Sequence, residues 1–204
     1  MNQAETEKRI DENTEWDWPL RDLKEVLKAA SSIADDPYPY ILFTDDAIWS
    51  TNNCMIVRIS CSSPYGRIVF DRRETRDLVR FLSPAKKGKE DFRATMTPIR
   101  HESGISSWIR FMFDGQERIV SNRIATFLPD FEKTYKLFRE DAKTWKDGEF
   151  FRIPGWILER AGKLFPEGSV RLSFFQSEEN PLIWISGEIA GRRCDLICDI
   201  EKEN

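Results

Sequence analysis

Residues 66–82 read GRIVFDRRETRDLVRFL. Ile68, Val69 and Phe70 form a short β-branched and aromatic run. Asp71 and Glu74 stand at the D-x-x-E spacing of a helix start, and Leu78, Val79 and Leu82 continue at helical period. The stretch therefore predicts a strand that runs straight into an amphipathic helix. Pro84 and the run Ala85 to Lys89 then make a basic loop. FRATMTPIR (92–100), SSWIRFMF (106–113) and ERIVSNRI (117–124) predict three strands, with Asp114-Gly115 as a hairpin turn. The unit is β-α-β-β-β. The same order returns downstream, with EFFRI (149–153) as a strand, PGWILERAGKLF (154–165) as a helix, and SVRLSFF, PLIWISGE and RCDLICDI as three strands. Gly66 and Gly148, Val69 and Phe151, Val79 and Ala161, and Leu82 and Leu164 correspond at one constant offset, so the repeat lies in the architecture more than in the letters.

Upstream of residue 66, Leu20, Leu23, Val26, Leu27, Ala30 and Ile33 recur at helical spacing behind Pro19, and Asp35, Asp36 and Pro37 stop the helix. PYILFTDDAIWSTNNCMIVRISC (39–61) predicts two or three strands broken at Asp45-Asp46 and Asn52-Asn53. This first unit reads as the partner of the second. The expected class is α+β, with paired helices packed on antiparallel sheets in about one and a half copies. The expected boundaries are an acidic disordered tail over 1–15, a first domain over 16–138, a linker over 139–147 and a reduced second domain over 148–204.

Charge is uneven along the chain. Residues 1–20 hold six acids against Lys8 and Arg9, which accounts for the whole net charge of −4. Residues 66–93 carry nine Lys/Arg against five Asp/Glu, so basic charge is clustered in an acidic protein. The predicted helices arrange part of it. Arg21, Lys24 and Lys28 stand at spacings of three and four, and Arg73, Arg76 and Arg80 repeat the pattern, while the third helix offers only Arg160 and Lys163. Such a row can meet successive phosphates without reading bases. The plainer reading is a solvated face balanced by Asp22, Glu25, Glu74 and Asp77.

Other chemistry finds little purchase. His101, the one histidine, lies between Arg100 and Glu102 and reads as a surface residue. There is no nucleophile elbow, P-loop or dinucleotide glycine pattern, so neither a catalytic set nor a cofactor is expected. Cys54, Cys61, Cys194 and Cys198 form no CxxC pair and read as reduced thiols, with Cys194 and Cys198 on one face of a strand. Asp45-Asp46 reads as a tight turn before it reads as a metal site. Trp16 and Trp18 sit where the folded part begins and either cap the core or receive a partner. The N-terminus has no signal-peptide pattern and no stretch is long and apolar enough to span a bilayer, which predicts a cytoplasmic protein without a membrane partner.

Five segments in order carry a resemblance. LRDLKEVLKAASSI, WSTNNCMIVRI, GRIVFDRRETRDLVRFL and SNRIATFLPDFEKTY resemble the middle domain of the bacterial β-type sliding clamps that hold replicative DNA polymerases on DNA, and residues 148–200 are similar to half of their final domain. LPDFEKTY is the most specific, being similar to the phenylalanine-proline-aspartate-tyrosine stretch that closes the middle domain in that family. The resemblance implies the DNA-clamp fold, with a ring of six domains whose helices face duplex DNA and whose sheets bridge neighbours. A homo-oligomer, possible as a trimer of two-domain chains, follows from it. The basic stripes Arg21, Lys24, Lys28, Arg73, Arg76, Arg80, Arg160 and Lys163 would then face non-specifically bound DNA, in a nucleoid-associated location if the protein is cellular. A partner-peptide pocket is implied at Thr51, Asn53, Cys54 and Ile56 with Ile197 and Ile200. The expected function is a processivity factor that surrounds or cradles DNA and tethers a polymerase or other DNA enzyme. The alternative is a clamp-like adaptor or inhibitor that binds replication or transcription proteins and never encloses DNA.

Overall fold

Residues 15–35, 38–52, 54–61, 63, 67–82, 93–100, 106–122, 130–131, 133, 135, 153–166, 168–176 and 181–199 are described by a computed structural model. The expected acidic tail up to residue 14, the basic loop over 84–89, the linker over 139–147, most of the EFFRI strand, Asn53, His101 and Ile200 lie outside them.

Within the described residues the first unit consists of β1 (Trp16–Pro19), α1 (Leu20–Ile33), β2 (Tyr40–Phe43), β3 (Ala47–Thr51) and β4 (Met55–Ser60). The second is β5 (Ile68–Asp71), α2 (Arg72–Phe81), β6 (Arg93–Arg100), β7 (Ser106–Phe113) and β8 (Gln116–Ser121). The third is α3 (Gly155–Leu164), β9 (Arg171–Gln176), β10 (Pro181–Ile189) and β11 (Arg192–Asp199). Local chemistry sets the element ends. Asp71 caps α2 by accepting from the Arg73 amide at 2.7 Å, while Glu74 accepts from Ser121 Oγ at 3.1 Å and so ties the helix to β8. At the β3–β4 turn, Asn52 Oδ1 accepts from the amides of Cys54 and Met55 at 3.2 and 3.0 Å, an Asx turn that supplies the bend through a side chain.

The sequence reading assigned no strand to WDWP, yet these residues form β1. Its four residues pair antiparallel with β6, Trp16 opposite Met96 and Pro19 opposite Arg93, and Asp17 forms an ion pair with Arg93. Four residues are too short for an alternation signal, and their strand character comes from the waiting edge of β6. Trp18 is buried, and Trp16 meets both Trp18 and Phe43 edge-on. The core reading of these tryptophans is the one the structure supports.

Two sheets result, in the orders β1-β6-β7-β8 and β5-β2-β3-β4-β11-β10-β9. Each of the first two units sends its first strand into the other unit's sheet, β1 to β6 and β5 to β2. The helices α1 and α2 pack along each other, and each touches strands of both sheets. Leu23, Val26, Leu27, Ala30 and Ile33 of α1 and Leu78 of α2 are fully buried against the inner faces. The third unit joins the seven-stranded sheet through β4 and β11, with Ile56 opposite Ile197 and Arg58 opposite Asp195. Cys194 and Cys198 face the core, and burial raises the Cys194 thiol well above its ordinary range. Cys61 is buried likewise and raised to about 12, whereas Cys54 is exposed.

Two hairpins turn on residue pairs in the left-handed region, Asp114-Gly115 (φ 50° and 72°) and Ala190-Gly191 (φ 51° and 68°). The first was legible as an Asp-Gly turn. The second puts an alanine where Asn or Gly is favoured, at a cost of about 1–2 kcal/mol. Replacing Ala190 by Asn is expected to raise the unfolding free energy by about 1 kcal/mol in denaturant titration. Gly187 has the opposite constraint. A Cβ there would meet the Phe165 ring at 2.6 Å, so Gly187→Ala is expected to destabilise by about 1–3 kcal/mol in the same titration.

Candidate functional site

At about 100° per residue, the spacing of Arg21, Lys24 and Lys28 holds all three within an arc of about 60° on α1, and Arg73, Arg76 and Arg80 fall in the same way on α2. The apolar arcs of both helices are taken by the sheets, so the two rows emerge on the opposite surface of one helical layer. Part of this charge is compensated. Arg21 pairs with Glu25 at 3.1 Å and Arg80 with Asp77 at 3.0 Å, both at exposed positions. Among the described residues, no acidic side chain lies within ion-pair distance of Lys24, Lys28, Arg73 or Arg76. Beside Arg73 and Arg76, the start of α2 borders a groove also lined by Arg72, Asp35, Pro39 and Asp71, where Arg72 and Asp35 form an ion pair.

The third helix behaves differently. Arg160 is partly buried and donates to the Ser32 carbonyl at 3.3 Å, so it satisfies an acceptor in the last turn of α1. Lys163 is paired with Glu159. Neither continues the free cationic rows. In the turn before them stand Trp156 and Leu158, both exposed.

A second cluster lies on the outer face of the seven-stranded sheet. Thr51, Ile56, Ile197 and Trp184 stand opposite one another on four successive strands, so they share that face. Thr51 is buried and its hydroxyl donates to the Met55 carbonyl at 2.7 Å; Ile197 is buried and Ile56 half-buried. Of the described positions in the expected pocket, Cys54 is the exposed one. Two residues along from this row stand Trp49, Arg58 and Asp195, again opposite one another.

Phe131 and Tyr135 cover this second row. Phe131 stacks on Trp49 at 5.7 Å, and Tyr135 meets Trp49 and Trp184 edge-on at 5.5 and 5.2 Å. The Arg58 guanidinium lies 5.4 Å from the Trp49 ring centre and 5.0 Å from that of Tyr135, and donates to Asp46 at 2.7 Å. Burial pushes the Asp46 carboxyl up, but hydrogen bonds from Arg58 and Thr44 outweigh it and hold the group below its ordinary value. The fully buried Asp195 accepts from Tyr135 Oη at 3.0 Å, Trp184 Nε1 at 3.0 Å, Ser186 Oγ at 2.8 Å and Arg193 Nε at 3.0 Å. Four donors compensate one buried carboxylate at the seam between β4 and β11. Phe131 and Tyr135 are the aromatic residues of LPDFEKTY, the segment that carried the most specific resemblance.

No family model matches the sequence, and no curated protein matches it. Solved structures do. DNA polymerase III subunit beta from Borrelia burgdorferi is similar with a TM-score of 0.64 at 10% identity, over 94% of this chain and 65% of that one. PCNA of A. fulgidus, solved with the C-terminal region of FEN-1 bound, gives 0.57 at 12% identity, over 93% and 99%. The H. pylori beta clamp gives 0.53 at 11% identity, over 94% and 65%. The chain has the sliding-clamp fold. It spans slightly under two thirds of the bacterial clamp chains named here.

Within this sliding-clamp fold, the cationic rows and the Asp195 seam occupy opposite surfaces of the same sheet-and-helix body. Among the described residues no group of three His, Cys, Asp or Glu side chains is placed to hold a metal ion, and no helix is long and apolar enough to cross a membrane. Sequence reasoning missed the Asp195 lock. Its available signal was a lone acid inside CDLIC, a strand apolar on both sides of it.

Tyr135→Phe removes one hydrogen bond to a buried carboxylate and is expected to cost about 1.5–3 kcal/mol in denaturant unfolding. The phenol is raised above its ordinary value, by burial first and by the Asp195 carboxylate next. The folded chain thus keeps this proton longer than the unfolded one, so the contribution is whole below a pH of about 10 and fades as pH rises beyond it. Stability measured from pH 8 to 11 should fall less steeply in Tyr135→Phe.

Proposed function

We propose that the chain is a clamp-like, non-enzymatic processivity module that cradles or surrounds duplex DNA and tethers a polymerase or another DNA enzyme to it. The observation that carries this reading is that Lys28, Arg73 and Arg76 are exposed and Lys24 half-buried on one helical layer, without acidic partners among the described residues, in a sliding-clamp fold. The other predicted DNA-facing residues have lesser parts. Arg21 and Arg80 can exchange their exposed acidic neighbours for phosphates, because such surface pairs are worth little in water. Arg160 is held by α1. Lys163 would have to leave Glu159.

Retention would be electrostatic and geometric, with no bond made or broken. Phosphates meeting four free cations release counterions, which gives affinity without base preference. The partner enzyme would approach the opposite surface, near Cys54 and Ile56 at the edge of the β4–β11 seam; A. fulgidus PCNA, similar in fold, is known with the C-terminal region of FEN-1 bound. A homo-oligomer on DNA would lengthen its residence. Such a role would be carried out in the compartment that holds the DNA.

Binding of a fluorescent duplex, titrated against salt, tests the reading. The wild-type chain should bind with a steep salt dependence. Changing Lys24, Lys28, Arg73 and Arg76 together to Ala should weaken binding and flatten the log–log slope by up to about 0.9 per lost contact. Unchanged affinity and slope would remove these residues from the interface. Retention on a closed circular plasmid that is lost on linearisation would support encirclement, and equal retention on both would leave the cradle alone. The adaptor reading draws support from α3, which exposes Trp156 and Leu158 and whose exposed cation Lys163 is paired with Glu159, and a folded chain without DNA affinity would favour it.

A further inference from the structure

The first two units show how a β-α-β-β-β unit is completed in this chain. The strand β2, first of its three, receives β5 from the other unit, and β6 receives β1. The residues of β2 and β6 that face the helices are thereby closed off. Ile41 and Phe43 on β2, and Ala94 and Met96 on β6, are each 0% exposed. The two units are related as halves of a pseudo-two-fold pair, with α1 lying along α2.

Among the described residues the third unit has the helix and three strands of that order but a different boundary. Its last strand, β11, is taken by β4, which leaves β9 as the terminal strand of the seven-stranded sheet among the described residues. The strand β9 is the counterpart of β2 and β6. Leu172 on β9 stands opposite Ile185, a core residue, and so lies on the helix side of the sheet, yet it is 44% exposed. Val170 beside it is 40% exposed, and on α3 Trp156 and Leu158 are 43% and 50% exposed. The corresponding helix α2 fills its exposed positions with Arg73, Arg76, Asp77 and Arg80. Leu158, Val170 and Leu172 belong to one helix and the start of the strand that follows it, whereas Trp156 lies about 160° from Leu158 around α3; Trp108 and Ile119, both on the β7–β8 side of the other sheet, are also comparably exposed among the described large apolar residues. An apolar surface of this kind marks an interaction site more often than a solvated face.

We infer that the face formed by α3 and β9 is completed by the same face of a second copy of this chain, packed around a two-fold axis. The argument for a second copy is internal. A unit of this order is completed here by another unit of the same order, and a second chain brings one unit with the same face open. A two-fold contact uses that face on both chains and closes, so assembly through it ends at a dimer. Leu172 and Leu158 would then be shielded as Ile41 and Met96 are within the chain. The dimer would hold three helix-pair domains in an arc, the central one made by both chains and joined to its neighbours through two β4–β11 seams. The inference does not depend on DNA being the ligand.

Light scattering on the full-length chain decides it, with sedimentation equilibrium to extract affinity. The wild-type protein should have twice the chain mass of 23.9 kDa. Leu172→Glu and Leu158→Glu should each weaken the dimer by more than about tenfold while circular dichroism stays unchanged. Leu158 is the second reading of the same face should Leu172→Glu disturb β9, because its side chain is half exposed on α3. Trp108→Ser with Ile119→Ser, on the other sheet, should leave the mass at the dimer value. A wild-type monomer at high micromolar concentration would overturn the inference. So would a trimer or larger ring, or a dimer that survives the Leu158 and Leu172 changes and is lost with those at Trp108 and Ile119.

Discussion

A β-α-β-β-β unit of this kind cannot close its own sheet, because its first strand leaves for the sheet of another unit. The chain obeys this constraint twice, in the pairing of β1 with β6 and of β5 with β2. Much of the remaining arrangement follows from it. The exchange brings α1 beside α2, sets both across both sheets and turns their apolar arcs inward. The cationic rows are then left on one layer. Neither row was placed by charge, since exposed ion pairs contribute too little to orient a helix against the burial of Leu23, Val26, Leu27 and Leu78.

The third unit meets the same constraint in another way. It is joined to the first at β4–β11 and locked on the outer face by Tyr135, Trp184, Ser186 and Arg193 converging on Asp195. A buried carboxylate with a full set of donors tolerates little displacement, because loss of one donor leaves charge uncompensated in a poorly polarisable surrounding. The lock therefore fixes β10 against β11 and seats Tyr135 beside the seam, where the rings of Trp49, Phe131 and Tyr135 add apolar area over β3 and β4. Function would use the two surfaces separately, with cations on the helix side and protein contacts on the sheet side.

Much of the fold was legible because period and turn chemistry speak locally. The helices α1, α2 and α3, the strands β2 to β11 and the Asp114-Gly115 hairpin follow from apolar spacing, a capping aspartate and an Asp-Gly pair. What was not legible depends on partners far away in sequence. WDWP became a strand only because β6 offers an edge 76 residues on, as the Asp17–Arg93 pairing shows. Asp195 reads as an unplaced acid until Tyr135 is brought to it across 60 positions. The cation rows were readable as spacing, but the distinction between Lys24 or Arg76, without a described acidic partner, and Arg160, spent on the Ser32 carbonyl, exists only once the helices pack. The expected peptide pocket is similarly reshaped, since the row across Thr51, Ile56 and Ile197 is real while two of its three members are buried.

The account holds that the third unit is one cooperative body with the first, through the β4–β11 seam and Asp195. Native-state amide hydrogen exchange tests this most directly. The account predicts that the amides of Val57 and Ile59 on β4 and of Leu196 and Cys198 on β11 open with one common free energy, equal to that of β2 and β3, and that all fall together in Tyr135→Phe. Exchange of β9, β10 and β11 at a distinctly lower free energy, with β2 to β4 still protected, would contradict it.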